Sequence, residues 1–362
     1  MIYRIVLSIR NARYKSGRHS TAAEVPTICV GNITVGGTGK TPHSEMILRT
    51  LLGSEHWGMS KLAFLSRGYK RRSKGFQQVP YDGSAALYGD EPVQVKRKFP
   101  SVTVAVDKDR IEGCDVLVHP EKAAGLKKCT FPDFPAADLV LLDDAYQYRR
   151  LKASLNIVLV DWNRPVTEDS LLPWGRLRDL PSRLYDADIV IVSKCPYALD
   201  AQEKMDMART LGYASYDPET CTAVRRDRPQ TLLFTGIKYE RLQGVHDSAD
   251  PRYIYSKKLI LFTGIADDTP MLRHLSDSYK IVEHIHFPDH HSYTKADVRA
   301  LRNAVRRNPT AALATTEKDA QRLLDLKALP DDLKSRLFFL PITTDFLSDR
   351  ERETFSQYLN NL

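Results

Sequence analysis

Short runs of apolar and β-branched residues alternate with longer amphipathic stretches along most of the chain. The runs are four or five residues long and contain few polar positions, which predicts strands that are buried on both faces. Such strands, separated by helical stretches, are typical of a doubly wound parallel sheet covered by helices. In the first part of the chain the runs span 27–30, 62–65, 102–106, 138–142, 156–160 and 189–192.

A second series of apolar runs follows a stretch, 197–250, in which the pattern weakens into polar and charged sequence. The runs of this second series span 259–262, 280–284, 311–315 and 338–340. At 362 residues the chain is also long enough for two domains of the usual ~150 residues. We therefore predict an α/β fold with a larger doubly wound lobe at 19–215 and a second, smaller α/β lobe at 216–362.

Residues 1–18 combine a helical apolar stripe with positive charge. The stripe contains Ile2, Ile5, Val6, Ile9 and Ala12, and the cations are Arg4, Arg10, Arg13, Lys15 and Arg18. The pattern fits two alternatives equally, an amphipathic helix on an anionic membrane surface or a helix packed on its own lobe. Arginines interrupt the apolar face, which argues against a secretory signal, and no stretch of the chain approaches the ~18 apolar residues of a membrane span.

Composition narrows the class of protein. Hydrophobic residues make up 42% of the chain and charged residues 27%, which are ordinary globular values and exclude a disordered or collagen-like chain. The 5 cysteines are scattered without a C-x-x-C pair, which indicates reduced thiols in a cytosolic protein. The formal net charge of +8 favours a polyanionic partner, which could be nucleic acid, an anionic lipid surface or a phosphorylated substrate.

The most informative motif is a glycine-rich loop, G-N-I-T-V-G-G-T-G-K-T-P at 31–42, between a predicted strand and a predicted helix at 43–52. This order predicts a phosphate loop whose backbone N–H groups cradle phosphates, with Lys40 neutralising their charge and the Thr41 hydroxyl on Mg²⁺. The residues predicted to bind the nucleotide are Thr34, Val35, Gly36, Gly37, Thr38, Gly39, Lys40 and Thr41. Thr34 replaces the first glycine of the usual string, and a tight turn without nucleotide is the alternative.

Two adjacent acids, Asp143 and Asp144, follow the apolar run 138–142. Like charges at the end of a buried strand repel each other unless a cation lies nearby, so the pair is a candidate Mg²⁺ site; an exposed acidic loop is the alternative. These features predict binding of a nucleotide and Mg²⁺ but leave the reaction open, because phosphate loops serve GTPases, partition ATPases, metal-insertion chaperones and kinases.

Further motifs bear on the reaction. They are L-S-R-G-Y at 65–69, G-D-E-P at 89–92, L-D-D-A-Y-Q at 142–147, L-L-P-W-G-R-L-R at 171–178, T-G-I-A at 263–266, F-P-D-H at 287–290 and T-E-K-D at 316–319. In this order, and together with the phosphate loop, they closely resemble the tetraacyldisaccharide 4'-kinase (lipid A 4'-kinase) family. The resemblance extends from the N-terminal helix to about residue 345.

The resemblance implies an enzyme that uses ATP and Mg²⁺ to phosphorylate the 4'-hydroxyl of an acylated glucosamine disaccharide 1-phosphate in lipid A biosynthesis. It implies an active site between two closing lobes, with Asp90 as the catalytic aspartate and His290 as its histidine partner. A carboxylate paired with an imidazole can take the proton of a weakly nucleophilic sugar hydroxyl. The expected location is the cytoplasm, peripheral on the inner face of the inner membrane, with no nucleic acid and no obligate protein partner.

The remaining site residues follow from the same matching. Lys40 and Arg178 are expected to stabilise charge on the transferred phosphoryl group. The metal candidates are Thr41, Glu91, Asp143 and Asp144, and the substrate candidates are Arg67 and Tyr69. Ala145 and Tyr148 depart from the glycine and histidine usual in the family at these positions.

A group of histidines near residue 290 allows a second interpretation. His284, His286, His290 and His291 surround Asp289, and such a density of ligands could indicate a metal site or the D-H-H string of manganese phosphoesterases. Those enzymes need further acidic motifs upstream and do not contain a phosphate loop, which argues against that class. His284 and His286 alternate on a predicted strand, and we interpret them as structural residues. A regulatory or metallochaperone NTPase with a phosphate loop remains the alternative function, and a nucleic-acid-binding protein is a third.

Overall fold

The structure is a computed structural model that describes residues 2–15, 19–126, 129, 133–289, 291–326 and 329–362. Its helices are α1 Ile2–Lys15, α2 Lys40–Leu52, α3 Ala85–Tyr88, α4 Asp90–Lys98, α5 Arg110–Val118, α6 Glu121–Ala124, α7 Ala201–Thr210, α8 Arg252–Tyr255, α9 Thr269–Ser276, α10 Lys295–Arg307, α11 Glu317–Leu324, α12 Asp331–Lys334 and α13 Asp349–Asn360, with a 3₁₀ helix at Pro181–Asp186. Its strands are β1 Thr21–Ala22, β2 Thr27–Gly31, β3 Leu62–Ser66, β4 Gln77–Gln78, β5 Thr103–Val106, β6 Leu139–Asp143, β7 Leu151–Lys152, β8 Leu155–Asp161, β9 Ile189–Ser193, β10 Ser215–Asp217, β11 Thr222–Arg225, β12 Arg228–Tyr239, β13 Gln243–Gly244, β14 Lys258–Thr263, β15 Lys280–His286, β16 Ala312–Thr316, β17 Leu337–Leu340 and β18 Ile342–Phe346.

The larger lobe is built on an 11-stranded sheet of the described chain, in the order β10-β11-β12-β9-β8-β2-β6-β3-β5-β4, with β18 also paired to β12. The strands from β12 to β5 in this order are parallel. Successive residues along β3 alternate between two apolar clusters, with Ala63 and Leu65 in one and Leu62 and Phe64 in the other. Both faces of the sheet are therefore buried, as the continuous apolar runs predict.

The smaller lobe has a 5-stranded sheet in the order β13-β17-β16-β14-β15 within the described residues. The pairs from β17 to β15 are parallel, and β13 is antiparallel to β17. Two apolar clusters lie on its faces, one centred on Ile260 and Phe262 and the other on Leu259 and Leu261. The prediction of an α/β fold with a second, smaller α/β lobe is confirmed.

The change of sheet does not fall at the expected boundary of 215/216. Strands β10, β11 and β12 all belong to the large sheet, so the chain leaves it only after Tyr239. The chain then returns, because β18 pairs antiparallel with β12 and α13 places Phe355 and Leu359 in the core of the larger lobe. The smaller lobe is therefore an insertion between β12 and β18, and the weakly patterned stretch 197–250 contains three strands of the large sheet.

Helix α1 packs on the larger lobe by one face and leaves another exposed. Leu7 is buried, the Arg10 guanidinium lies 2.8 Å from Oδ2 of Asp179, and Asn11 donates to Oδ1 of the same residue at 3.0 Å. Ile5 and Ile9 are 54% and 66% exposed. Within the described residues, no helix has the length and apolar character needed to cross a membrane.

Candidate active site

The phosphate loop joins the end of β2 to the start of α2. Gly36 and Gly39 have φ angles of 108° and 84°, which turn the backbone in a way that side chains disfavour. A Cβ atom added at Gly36 or Gly37 would meet no described atom within 4 Å, so the loop borders open space. Lys40 begins α2, where free N–H groups and the helix dipole favour an anion.

Side chains from neighbouring strands fix the shape of this loop. Asn32 donates to the Thr38 hydroxyl at 2.8 Å, and the Ser193 hydroxyl donates to the Thr38 carbonyl at 2.9 Å. His43 is buried, and burial lowers its pKa to about 4, so its ring is neutral. Its Nδ1 lies 2.7 Å from the Gly39 carbonyl and therefore carries the proton. The loop is thus ordered by contacts that leave its open side free.

The acid pair lies at the end of β6, the strand next to β2. Burial, followed by the charges of Glu91 and Asp144, raises the pKa of Asp143 to about 7. Burial acts in the same direction on Asp144, but Lys40 and Arg178 outweigh it and lower the pKa of that carboxyl. Arg178 contacts both Asp144 oxygens, and Nζ of Lys40 lies 3.8 Å from Oδ1. Asp144 is therefore ionised, whereas Asp143 holds its proton more tightly than an ordinary carboxyl and would lose it to an approaching cation.

One oxygen of this pair is available to a cation. Oδ2 of Asp143 accepts a hydrogen bond from Ser66 at 3.1 Å, whereas Oδ1 is buried and has no hydrogen-bond partner in the described part of the chain. A buried carboxylate oxygen without a partner is costly, and a hard divalent ion would satisfy it. The unpartnered oxygen at this edge therefore fits a hard divalent cation such as Mg²⁺.

The motif G-D-E-P begins α4, and helix α11 of the smaller lobe packs against it. Arg322 of α11 donates to Oδ2 of Asp90 from Nη2 at 2.6 Å and from Nε at 2.9 Å. Lys318, one helical turn earlier, contacts Oε1 of Glu91 at 2.7 Å, and this cation lowers the pKa of Glu91 despite burial. Two cations of the smaller lobe thus hold the two carboxylates of the larger lobe.

A second contact between the same helices lies deeper. The Lys98 ammonium is 2.8 Å from Oε2 of Glu45 and 2.7 Å from Oε2 of Glu317, and Gln94 donates to both carboxylates. Burial raises the pKa of Glu317 to about 7, although Lys98 opposes this rise. Since Glu45 belongs to α2, this cluster connects the helix of the phosphate loop with the smaller lobe.

The loop L-S-R-G-Y lies against the start of α4. A Cβ atom at Gly89 would meet Cα of Gly68 at 3.2 Å, so the two glycines allow a close approach of the backbones. The backbone N of Tyr69 lies 3.5 Å from the same added Cβ atom, so the loop runs next to the residue that precedes Asp90, and the side chains of Arg67 and Tyr69 are exposed. His290 lies outside the described residues. Tyr148, at the position where the family usually has histidine, donates to Asp109 at 2.6 Å.

Lys318, Arg322 and Lys98 had no role among the predictions made from motifs. Lys318 stands inside the quoted motif T-E-K-D, and Arg322 follows it at a spacing of one helical turn, which is the only local signal for either. Neither signal identifies the carboxylate that each cation meets, because those partners lie more than 200 positions away.

The site combines a phosphate loop with an acid pair on the adjacent parallel strand, and cations of a second lobe reach it. These features define a two-lobed nucleotide-binding enzyme of the phosphate-loop class. Comparison with known proteins narrows this class. The sequence model of the family described as "Tetraacyldisaccharide-1-P 4'-kinase" matches residues 1–361. The chain belongs to this family of kinases, and the alternative of a regulatory or metallochaperone NTPase is not favoured.

Individual relatives agree with this assignment. The chain is 35% identical over 357 residues to the tetraacyldisaccharide 4'-kinase of Phocaeicola vulgatus, with 97% of this chain and 90% of the relative covered. It is 36% identical to the tetraacyldisaccharide 4'-kinase of Parabacteroides distasonis, with 91% of this chain and 84% of the relative covered. Its fold is similar to the crystal structure of "apo" form LpxK from Aquifex aeolicus in complex with ATP, with a TM-score of 0.69, 23% identity and coverage of 99% of this chain and 96% of that chain.

Proposed function

We propose that this protein transfers the γ-phosphoryl group of ATP to the 4'-hydroxyl of tetraacyldisaccharide 1-phosphate, which forms lipid IVA in lipid A biosynthesis. Membership in the family and the names of the relatives support the reaction. The single observation that carries the proposal is that Glu91 is held by Lys318 of the smaller lobe and also lies close enough to Lys40 of the phosphate loop for this cation to lower its pKa, while Arg322 holds the adjacent Asp90.

The nucleotide is assigned to the phosphate loop. Residues 34–41 would surround the β- and γ-phosphates, and Lys40 would neutralise their charge. Thr41, Glu91, Asp143 and Asp144 would hold Mg²⁺, which reduces the negative charge that repels an attacking oxygen. Arg178 reaches this region through Asp144, so we assign it to holding that carboxylate and adding positive charge near the transferred group.

Asp90 is proposed as the general base. Its Oδ2 is occupied by Arg322, whereas Oδ1 receives no hydrogen bond from the described part of the chain. Oδ1 would accept the proton of the 4'-hydroxyl while the bond from O4' to the γ-phosphorus forms and the bond from that phosphorus to the β,γ-bridging oxygen breaks. The proposed partner His290 would orient this carboxylate.

A cleft beside α1 is proposed to take part of the glycolipid. It has a volume of about 440 Å³ and lies between α1 and residues 147–150. Its lining combines apolar side chains with four arginines, which suits an acylated molecule that carries a phosphate. The arginines are Arg10, Arg13, Arg149 and Arg150. Arg67 and Tyr69 are proposed as contacts of the sugar near Asp90.

The exposed stripe of α1 supports association with a membrane. Ile5, Val6 and Ile9 are 54%, 54% and 66% exposed, next to the arginines of the cleft. An apolar stripe flanked by cations favours a helix lying in an anionic interface. We propose that the protein is peripheral on the inner face of the inner membrane and needs neither nucleic acid nor an obligate protein partner.

The test is incubation of the purified protein with ATP, Mg²⁺ and the disaccharide 1-phosphate in mixed micelles. The expected product is the 1,4'-bisphosphate, and its absence together with ATP hydrolysis unaffected by glycolipid would refute the proposal. Lys40→Ala should weaken transition-state stabilisation strongly, whereas Asp90→Ala should lower kcat with much less effect on ATP binding. Equal losses of ATP affinity in both variants would contradict the division of roles.

A further inference from the structure

A carboxylate and two imidazoles meet at one edge of the smaller lobe, outside the phosphate-loop site. Strands β14 and β15 are parallel and adjacent, with Thr263 opposite His286 and Leu261 opposite His284. Residues two apart on a strand point to the same side, so both histidines face one way. The loop after β14 brings Asp268, the residue before α9, to that side.

The distances within this group suit metal ligation. Nε2 of His284 lies 2.8 Å from Oδ2 of Asp268, and Nδ1 of His286 lies 3.3 Å from the same oxygen. All three donor atoms lie within 4.8 Å of one another. Ligand atoms bound to zinc at ~2.0–2.2 Å with tetrahedral angles are roughly 3.3–3.5 Å apart, so small side-chain rotations would complete such a site.

The surroundings of Asp268, His284 and His286 also fit a metal site. Thr263 donates its hydroxyl proton to Oδ2 of Asp268, which orients the carboxylate as outer hydrogen bonds do in metal sites. The Asp268 side chain is 10% exposed, whereas His284 and His286 are 32% and 50% exposed. The buried carboxylate gives a fixed anchor, and the exposed side leaves room for a water molecule as fourth ligand.

We propose that Asp268, His284 and His286 form a binding site for a divalent transition metal of the Zn²⁺ type. Two imidazole donors and one carboxylate select such a metal over Mg²⁺, which prefers the all-oxygen donors found at Asp143 and Asp144.

The site would stabilise the neighbouring loop. Gly264, next to Thr263, donates its N–H to Asp319 at 2.9 Å and accepts a hydrogen bond from Arg322 at 3.2 Å. Arg322 is the side chain that holds Asp90. A metal bound by Asp268 and the two histidines of β15 would therefore order the loop after β14, whose Gly264 carbonyl accepts the hydrogen bond from Arg322.

The test uses the full chain, washed with chelator and titrated with ZnCl₂ in an excess of MgCl₂ that occupies the oxygen site. We expect close to one zinc ion per chain and a higher melting temperature when zinc is added. His284→Ala and His286→Ala should each weaken zinc binding at least about tenfold. Both side chains are partly exposed, so each variant without metal should melt near the wild-type temperature, which separates loss of metal from loss of folding.

His119→Ala is the matched control, because His119 lies with Glu24 and Asp115 in a second exposed group of similar donors. This variant should bind zinc as the wild type does. Zinc affinity that survives in the double variant of His284 and His286, or that is lost only with His119, would overturn the proposal. Failure of the wild type to retain zinc in MgCl₂ would overturn it as well.

Discussion

Replacing Lys98 by methionine should destabilise the protein in a way that depends on pH. In the wild type the ammonium lies between Glu45 and Glu317, whose side chains are 1% and 7% exposed. Without this cation, two buried carboxylates face each other with only Gln94 as a shared donor. One of them then keeps a proton to a higher pH than in the wild type, because Lys98 lowers the pKa of Glu317.

The sign and size of the effect follow from that pKa. The pKa of Glu317 is raised from 4.5 to about 7 in the folded wild type, so its protonated form adds stability below pH ~4.5 that is lost as the pH rises through 7. In the variant the folded state holds this proton beyond pH 7. Its stability relative to wild type therefore falls as the pH rises above 7, by about 1.4 kcal/mol per pH unit for as long as the folded variant keeps the proton that the wild type has lost.

Urea denaturation at pH 6 and pH 9 measures the difference. We expect a loss of about 1–2 kcal/mol at pH 6 and about 3–5 kcal/mol at pH 9, where the folded variant must either keep a proton that the unfolded chain has lost or ionise both carboxylates without Lys98. Lys122→Met is the matched control, because Lys122 pairs with Asp115 at a site where both side chains are 46% exposed. It should cost at most about 1 kcal/mol at either pH. Equal losses for Lys98→Met at the two pH values would refute the reasoning.

Three further changes test other parts of the structure. Arg322→Lys keeps the charge but loses the two-point contact with Asp90, so kcat for phosphoryl transfer should fall about tenfold while KM for ATP stays within about twofold. Ile9→Ser removes an exposed apolar side chain worth up to about 1.5–3 kcal/mol when buried in lipid, so sedimentation with anionic vesicles should drop roughly tenfold. Gly31→Ala places a Cβ atom 2.4 Å from Cβ of Tyr146, so urea denaturation should show a loss of about 1–3 kcal/mol.

Each of these changes has a control on the same chain. Arg302→Lys alters an exposed pair with Asp332 and should leave kcat unchanged. Met59→Ser alters a side chain that is 91% exposed far from α1 in sequence, and vesicle binding should persist. Gly37→Ala adds a Cβ atom that meets no described atom within 4 Å, so stability should be retained. Equal effects in a variant and its control would contradict the corresponding prediction.

The parallel strands were predictable because a strand that is buried on both faces needs a continuous run of apolar residues, as in β3 and β6. The strand β12 was missed because its apolar residues are flanked by polar ones, and its outer parts are only half buried. The phosphate loop was predictable because its glycines, Lys40 and Thr41 stand together in the sequence between a strand and a helix.

The contacts across the two lobes could not be predicted from local pattern. Arg322 meets Asp90 across 232 positions, and this meeting depends on how α11 packs against α4. The sequence around a basic residue on a helix surface does not identify the residue that it will contact, and most such side chains contact only solvent. The return of α13 to the larger lobe was missed for the same reason, since its apolar stripe fits any apolar surface.

That return has a consequence for synthesis on the ribosome. Phe355 and Leu359 complete the core of the larger lobe, and the Trp57 indole donates to the carbonyl of Leu359 at 2.8 Å. All the residues of the smaller lobe's sheet emerge before these two. Although the larger lobe begins first along the chain, every strand of the smaller lobe's sheet is synthesised before the segment that completes the larger core, so the larger lobe has an open apolar groove until α13 packs into it.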